Sequence, residues 1–585
     1  WRQFNSSKQA QGELFFKPMV DHPVDNYFEL LRSAYERNAD GYFWVNFGRY
    51  TFTYDPNQAD PVHVGYEFEG GDIRVVDGVV LQRQSRQISA DSMMSDIDWP
   101  TTCVAKRGDF EMGGLDGMHI EHGRGDISLI VNTDSMKFVS LFLHRNLKID
   151  SVYCNGQPVD YYRRRDFIFF GVILPQYAHR GDTLKLSVWY KGFNFTYSLP
   201  YVENPVSVLH TLTLRYPSGY NYLVPDWGKT ETQGKNEVMT IESSRPYSKY
   251  LFQGFASGYD TTTLAASMGS TINILRPTHY TSVGNKLYED ASLKATNYFI
   301  DHFGAPPGAF ETFIFPEGIA LHMPGLVYLP WQPSIHDELG GFHLVASQAI
   351  ATQWLGGAAQ PASDRETWLT YAVPGYLALM ALQANLGSEV FYTNMLSQRN
   401  ALYTVSERGR DMPLAVGSRA LPTTLNSKGV WVLHMLRWLM FDLKNHSDDQ
   451  FMKFLHELII TMNSRTFTNY DFTRLAEKYC STDLDNFFKY WLYGTGIPQY
   501  DVNYSIQAKD GQYYMNVTVH TSGVDEQFSM PVIMLVTEGG RSTFVQQPIK
   551  GSHTTFRLGP FAARPDRLYF NHFYSVLSKD NVTGL

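Results

Sequence analysis

Phe342-His343-Leu344-Val345-Ala346-Ser347-Gln348-Ala349-Ile350-Ala351-Thr352-Gln353-Trp354-Leu355-Gly356-Gly357 carries apolar residues every three to four positions. Leu339, Phe342, Val345, Ala346, Ala349, Ile350 and Trp354 fall on one face, which predicts a buried amphipathic helix. Gly356-Gly357 ends it, a polar loop follows, and a second helix runs on through Tyr376. Ser334 with Asp337, and Ser363 with Glu366, have the spacing of capping boxes at the two helix starts.

The frame Thr352-Gln353-Trp354-Leu355-Gly356, followed by Trp368-Leu369 and Tyr376, resembles the zinc-helix region of the M1 aminopeptidases (gluzincins). That family reads H-E-x-x-H-Q-W-F-G and then W-L-N-E-G-F-A. The resemblance implies that the first zinc histidine falls on Gln348, the general-base glutamate on Ala349 and the second histidine on Thr352. The family's glutamate ligand falls on Tyr371. The scaffold residues match, and each chemical residue is replaced.

Two ligands four residues apart share a helix face, and a carboxylate from the next helix completes a site whose fourth partner is water. Zinc takes neutral imidazole, thiolate or carboxylate donors. The amide of Gln348 and the hydroxyl of Thr352 are poor donors, and a phenol such as Tyr371 must first lose a proton with a pKa near ~10. Ala349 has no group to take a proton from an activated water. The expectation is no bound metal, no cofactor and no catalytic residues at these positions.

At 585 residues the chain exceeds one hydrophobic core. Hydrophobic content of 43% is ordinary for globular proteins, and no apolar run reaches the ~18 residues of a membrane span. A net charge of -9 without a basic stripe argues against nucleic acid as a partner. Cys103, Cys154 and Cys480 match no zinc spacing and are too few for a disulfide framework. Low charge, 37 tyrosines and N-x-S/T sequons such as Asn194-Phe195-Thr196 favour an extracytoplasmic setting: secreted, periplasmic or cell-surface. The numbering starts at Trp1, as expected of a processed chain or the ordered part of a longer one.

Residues 1–95 read as an N-terminal extension of mixed α/β character. A helix is expected over Val24 to Arg37, a strand over Tyr42-Phe43-Trp44-Val45-Asn46-Phe47, and hairpin turns at Gly70-Gly71 and Asp77-Gly78. Residues 96–257 read as short strands in a sandwich, among them Phe138 to Leu143 and Thr183 to Tyr190. Arg-Gly-Asp occurs at Arg107, Arg124 and Arg180, where strand-joining turns are the expected setting rather than an adhesion motif.

From 258 to 497 the period becomes helical. Ala291 to Phe303, then Gly304-Ala305-Pro306-Pro307 and a strand at Phe310 to Phe315, resembles the entry to the M1 thermolysin-like domain. The family's G-x-M-E-N strand, whose glutamate holds a substrate amino terminus, aligns on Ile319 to Met323, so His322 stands at the carboxylate position and Met323 beside it. Lys428-Gly429 matches the family's Y-x-K-G helix start, with Asn426 in place of the oxyanion tyrosine. His456-Glu457 is a decoy, since Ile460 stands where a second histidine would. Trp491 to Pro498 resembles the closing W-x-x-G-x-G-x-P, and residues 498–585 alternate as a small β-sandwich.

The expected fold class is α+β multidomain. It comprises an N-terminal β-sandwich or saddle sheet (96–257), a thermolysin-like mainly α domain (258–497) and a small C-terminal β-sandwich (498–585). The expected function is that of a catalytically inactive M1-like scaffold with protein partners in a larger assembly. A peptide-binding protein using the former cleft, and an active enzyme with ligands such as His336, Glu338 and His343, are the alternatives.

Overall fold

The computed structural model describes strands between 43 and 75 and most of residues 103–584; 76–102, 243–252, 278–284, 331–339, 356–359 and several shorter stretches lie outside the described residues. The expected helix over Val24 to Arg37 and the turns at Gly70 and Gly78 are outside them. The strand expected near Tyr42 forms as Phe43–Phe47 and heads a four-stranded antiparallel meander with Tyr50–Tyr54, Val62–Glu67 and Ile73–Val75. No helix among the described residues is long and apolar enough to cross a membrane.

The chain divides into two compact units. The first comprises 1–81, 97–334 and 352–363; the second comprises 82–96, 335–351 and 364–585. In the first, an eight-stranded sheet takes the order 229–233, 236–242, 209–217, 103–113, 119–131, 183–193, 147–154, 157–158. A four-stranded sheet of 161–162, 169–178, 136–142 and 201–202 contributes Val139, Leu141, Phe170 and Val172 to the same core. Strand Thr183–Phe193 shows why: Leu184, Leu186, Val188 and Tyr190 are buried, while Lys185, Trp189 and Lys191 face outward with the period of two that a half-buried strand requires.

The Arg-Gly-Asp triplets correct the turn expectation in two places. Arg107 and Arg124 lie inside strands Cys103–Gly113 and His119–Val131, where each arginine pairs with the aspartate two residues on. Arg124 also lies over the Trp189 ring on the neighbouring strand. A strand sets residues i and i+2 on one face, so Arg-x-Asp makes its own ion pair there. Only Arg180-Gly181-Asp182 forms a turn, with Gly181 at φ 91°.

A five-stranded sheet follows in the first unit, ordered 259–265, 271–277, 311–315, 326–330, 321–323. Helix α1 (Asn285–Phe303) joins the parallel strands 271–277 and 311–315. The second unit carries α2 (Gly341–Ala351), α3 (Thr367–Leu386), α4 (Ser388–Glu407), α5 (Gly429–Met440), α6 (Asp449–Ser464), α7 (Asn469–Cys480) and α8 (Asp485–Trp491). It ends in a four-stranded sheet ordered 553–561, 512–522, 499–509, 579–584 and a three-stranded one ordered 541–550, 529–538, 565–569.

Helix α3 is apolar around most of its circumference, and Trp368, Leu369, Ala372, Val373, Tyr376, Leu377 and Leu379 are fully buried. Ser334 and Asp337 of one expected capping box, and Ser363 of the other, lie outside the described residues. The Glu366 carboxylate accepts the Asn469 N–H at 3.2 Å, at the N-terminus of α7. A carboxylate there meets the positive end of the helix dipole. Trp368 Nε1 donates to Asn469 Oδ1 at 2.9 Å and ties the same two helices together.

His434 of α5 is fully buried. The Tyr376 hydroxyl stands 3.0 Å from Nδ1, and Nε2 is 3.1 Å from both the Phe573 carbonyl oxygen and Trp438 Nε1. The Trp438 indole N–H can only donate, so with Nε2 accepting it, Nδ1–H donates to the Tyr376 hydroxyl oxygen. With Nε2–H directed at the Phe573 carbonyl, Tyr376 donates to Nδ1; in both tautomers the ring is neutral. Desolvation pushes the imidazole down to about 3. The unfolded chain titrates near ~6.5, so it binds the proton first. The contribution is fully present above pH ~6.5 and declines as pH falls toward about 3, by up to ~1.4 kcal/mol per pH unit. Urea unfolding midpoints measured from pH 7 to 4 should therefore fall less steeply in His434→Gln than in the parent; parallel curves would remove His434 as the cause.

Candidate functional site

Gln348 and Ala349 sit in α2, Gln348 half-buried and Ala349 buried, as are Phe342, Ala346 and Ile350. The sequence places Thr352 on the same helix face as Gln348, but α2 ends at Ala351. Thr352 is buried in a following turn, where its carbonyl accepts the Leu355 N–H at 3.2 Å. Bonding three residues back tightens a helix end ahead of a glycine pair. Gln353, next along, uses Oε1 to accept the Gly325 N–H at 2.9 Å within the first unit.

Tyr371 lies near the start of α3 and is 43% exposed, unlike nearly every apolar side chain that follows it. One turn later, Gly375 is where the second unit gathers its site residues. A methyl group placed on Gly375 would meet Asn426 Oδ1 at 2.8 Å and Val430 Cγ2 at 3.0 Å, with Gln348 Nε2 3.7 Å away. Gln348, Asn426 and the Gly375 face of α3 are thus brought together. Tyr371, four residues earlier, shares that face. Gly375 was missed in the sequence; the signal available was a glycine next to Pro374 inside a long apolar helix.

Asn426 belongs to a single π-helical turn, Thr424–Lys428, that leads directly into α5. Its Oδ1 is shielded from solvent and has no hydrogen-bond partner among the described residues. Two residues on, Lys428 is buried and its ammonium reaches Asp411 Oδ1 at 3.3 Å, the Met412 carbonyl at 3.2 Å and the Gly494 carbonyl at 3.0 Å. The Lys-Gly pair therefore serves the packing: Lys428 ties down two loops, and Gly429 sits where a Cβ would strike Ala372 Cβ at 2.5 Å.

His322 and Met323 lie on Leu321–Met323, the edge strand of the five-stranded sheet, in the first unit. His343 is buried in α2, while His336 and Glu338 lie outside the described residues. His456-Glu457 is the expected decoy: the Glu457 carboxylate takes Lys478 Nζ and the Tyr479 hydroxyl, both at 2.6 Å, which pins α6 to α7. Among the described residues, the one grouping of three carboxylate, imidazole or thiol side chains close enough to share an ion is Glu477, Asp483 and Asp485. None of these is a position the sequence singled out.

The residues that the resemblance aligns with zinc ligands bring donors that zinc does not favour. Gln348 offers an amide, Thr352 a hydroxyl and Tyr371 a phenol, against the imidazole, thiolate or carboxylate donors that zinc takes. Ala349 brings only a buried methyl group to the general-base position.

No protein-family model matches the sequence, and no curated protein is similar to it. Solved structures match its fold. An M1 zinc metallopeptidase from Deinococcus radiodurans superposes with a TM-score of 0.51 at 17% identity, covering 67% of this chain and 94% of that one. A variant from the same organism bound to a Tyr-Ser-Ala substrate gives 0.51 at 17% identity over 67% and 95%. A two-domain M1 zinc metallopeptidase variant bound to L-tryptophan gives 0.52 at 17%, again over 67% and 95%. The chain has a mixed α/β fold like that of the M1 zinc metallopeptidases. At this identity the likeness is one of fold.

Proposed function

We propose that this chain is a catalytically inactive relative of the M1 aminopeptidases that acts as a scaffold for protein partners within a larger assembly. The observation that carries the reading is the donor set: amide, methyl, hydroxyl and phenol stand where the resemblance puts two histidines and two glutamates. The amine-anchoring carboxylate and the oxyanion phenol are replaced as well, by His322 and Asn426. Substitution at every chemical position, with Trp354, Trp368 and Lys428 kept as buried packing residues, fits a fold held for its surfaces. An extracytoplasmic setting belongs to the same proposal, as do domain limits near 95, 257 and 497.

The test is metal content and peptidase activity together. Dialysed protein is expected to hold well under one equivalent of zinc at the α2–α3 positions and to release no residues from peptide amino termini. A dialysis-resistant equivalent at those positions, or amino-terminal trimming abolished by chelator, would overturn the reading. Gln348→Ala should shift stability by no more than about 0.5 kcal/mol, as for substitutions that break no buried network. Retention of the native partners in a pull-down should be unaffected.

A second reading is favoured by Asn426. Its amide and that of Gln348 meet beside Gly375, on the helix face that also carries the exposed Tyr371, and amide and hydroxyl groups set together can hydrogen-bond a peptide backbone. Under this reading Gln348, Asn426 and Tyr371 hydrogen-bond an extended peptide; one of the M1 structures of similar fold is bound to a Tyr-Ser-Ala substrate. Binding of short peptides that is lost in Asn426→Leu would favour it over the scaffold.

A further inference from the structure

In the four-stranded sheet of the second unit, strands 512–522 and 553–561 are antiparallel and set His520 directly opposite His553. Both imidazoles are exposed, their Nδ1 atoms are 3.2 Å apart, and the ring planes are inclined by 52°. The register is held beside the pair by the Thr521 N–H, which donates to the Ser552 carbonyl at 2.9 Å. On the next strand Asp501 stands opposite His520, and Asn581 beyond it donates to Asp501 Oδ1 at 3.2 Å. Directly opposed residues share a sheet face, so the row reads His553, His520, Asp501, Asn581 across one surface.

Two neutral imidazoles at this distance exchange at most one hydrogen bond, from one Nδ1–H to the other Nδ1. The same distance suits a shared cation better. An ion held at the usual 2.0–2.1 Å from each nitrogen would see them at an angle of about 100–106°, close to tetrahedral. We propose that His520 and His553 form a surface site for a divalent transition-metal ion of the copper and zinc class, with water completing the coordination shell. Asp501 adds a negative charge on the same face. Magnesium and calcium are excluded by their demand for oxygen ligands. Copper is expected to bind more tightly than zinc, following the general order for nitrogen donors. The site rests on different residues from the proposed function and holds whether or not the chain is a peptidase.

The test is calorimetric titration of the full chain, stripped with chelator and dialysed, with Cu²⁺ alone, Zn²⁺ alone and Mg²⁺ alone. One equivalent should bind with Cu²⁺ tighter than Zn²⁺, and Mg²⁺ should give no heat. His520→Ala and His553→Ala should each weaken that binding by more than about tenfold, the scale on which even outer-shell partners act. The double variant should bind no more tightly than either single one, because both nitrogen donors are then gone. Both side chains are exposed, so the variants keep the fold. Unchanged binding in the double variant would overturn the site, and so would a loss confined to one single variant. Zinc content at the α2–α3 positions is measured on the double variant too, which keeps a surface ion from being counted as a central one.

Discussion

Lys428→Met should lower stability by about 3–5 kcal/mol, the cost of leaving one partner of a buried ion pair alone. The side chains of Lys428 and Asp411 are 2% and 6% exposed. Methionine fills the volume of the lysine stem but supplies no hydrogen for Asp411, for the Met412 carbonyl or for the Gly494 carbonyl. The Asp411 carboxylate would keep the Gly496 N–H, at 2.9 Å, as its other partner among these contacts. A single amide does not offset a desolvated charge. Guanidinium unfolding followed by circular dichroism measures the effect, and a loss below about 1 kcal/mol would mean that the pair is not buried in solution. Removing both charges in Lys428→Met/Asp411→Leu should recover part of the loss, since replacing a buried pair by apolar groups is often near neutral.

That network also explains a run of sequence whose reason was hidden. Trp491 to Pro498 was legible as a landmark, but its glycines were legible only as a pattern. Gly494 offers its carbonyl to Lys428, and a Cβ there would strike the Lys489 and Tyr490 carbonyls at 2.8 and 2.9 Å. Gly496 holds φ 103° and gives its N–H to Asp411. Asp411 lies seventeen residues before Lys428 in a loop, and no periodicity links the two.

Strands such as Thr183–Phe193 were readable because one buried face imposes alternation over many residues. Helix ends were not. Helix α1 starts at Asn285, six residues before the apolar face becomes evident at Ala291, because Lys286, Glu289 and Asp290 lie on its half-buried or exposed surface. At the site, the positions Gln348, Tyr371 and Asn426 could be named from the frame. Their meeting beside Gly375 could not, because it depends on how closely α3 approaches the π turn. The His520–His553 pair was invisible for the same reason: alternation gives the face of each strand, and only the register sets one ring against the other.

Trp354→Ala should cost the first unit about 3–5 kcal/mol, the range for deleting a buried aromatic. The indole is 1% exposed and lies 5.2 Å from the Phe299 ring and 6.1 Å from the Phe310 ring, measured between centroids. Its Nε1–H donates to the Gly304 carbonyl at 2.9 Å. Gly304 is the left-handed residue, φ 76°, that ends α1, so the indole satisfies backbone where the helix stops. Alanine would open a cavity and orphan that carbonyl at once. Trp354→Phe separates the two: it keeps most of the ring contact, loses the hydrogen bond, and should cost about 1–2 kcal/mol. The measurement is the shift in denaturation midpoint for both variants; equal losses would assign the whole effect to the bond, and two negligible ones would remove Trp354 from the core. A large loss in Trp354→Ala beside a neutral Gln348→Ala would separate the two kinds of residue in the M1-like frame. The α1 end and its aromatic neighbours need the tryptophan for packing and for the Gly304 carbonyl.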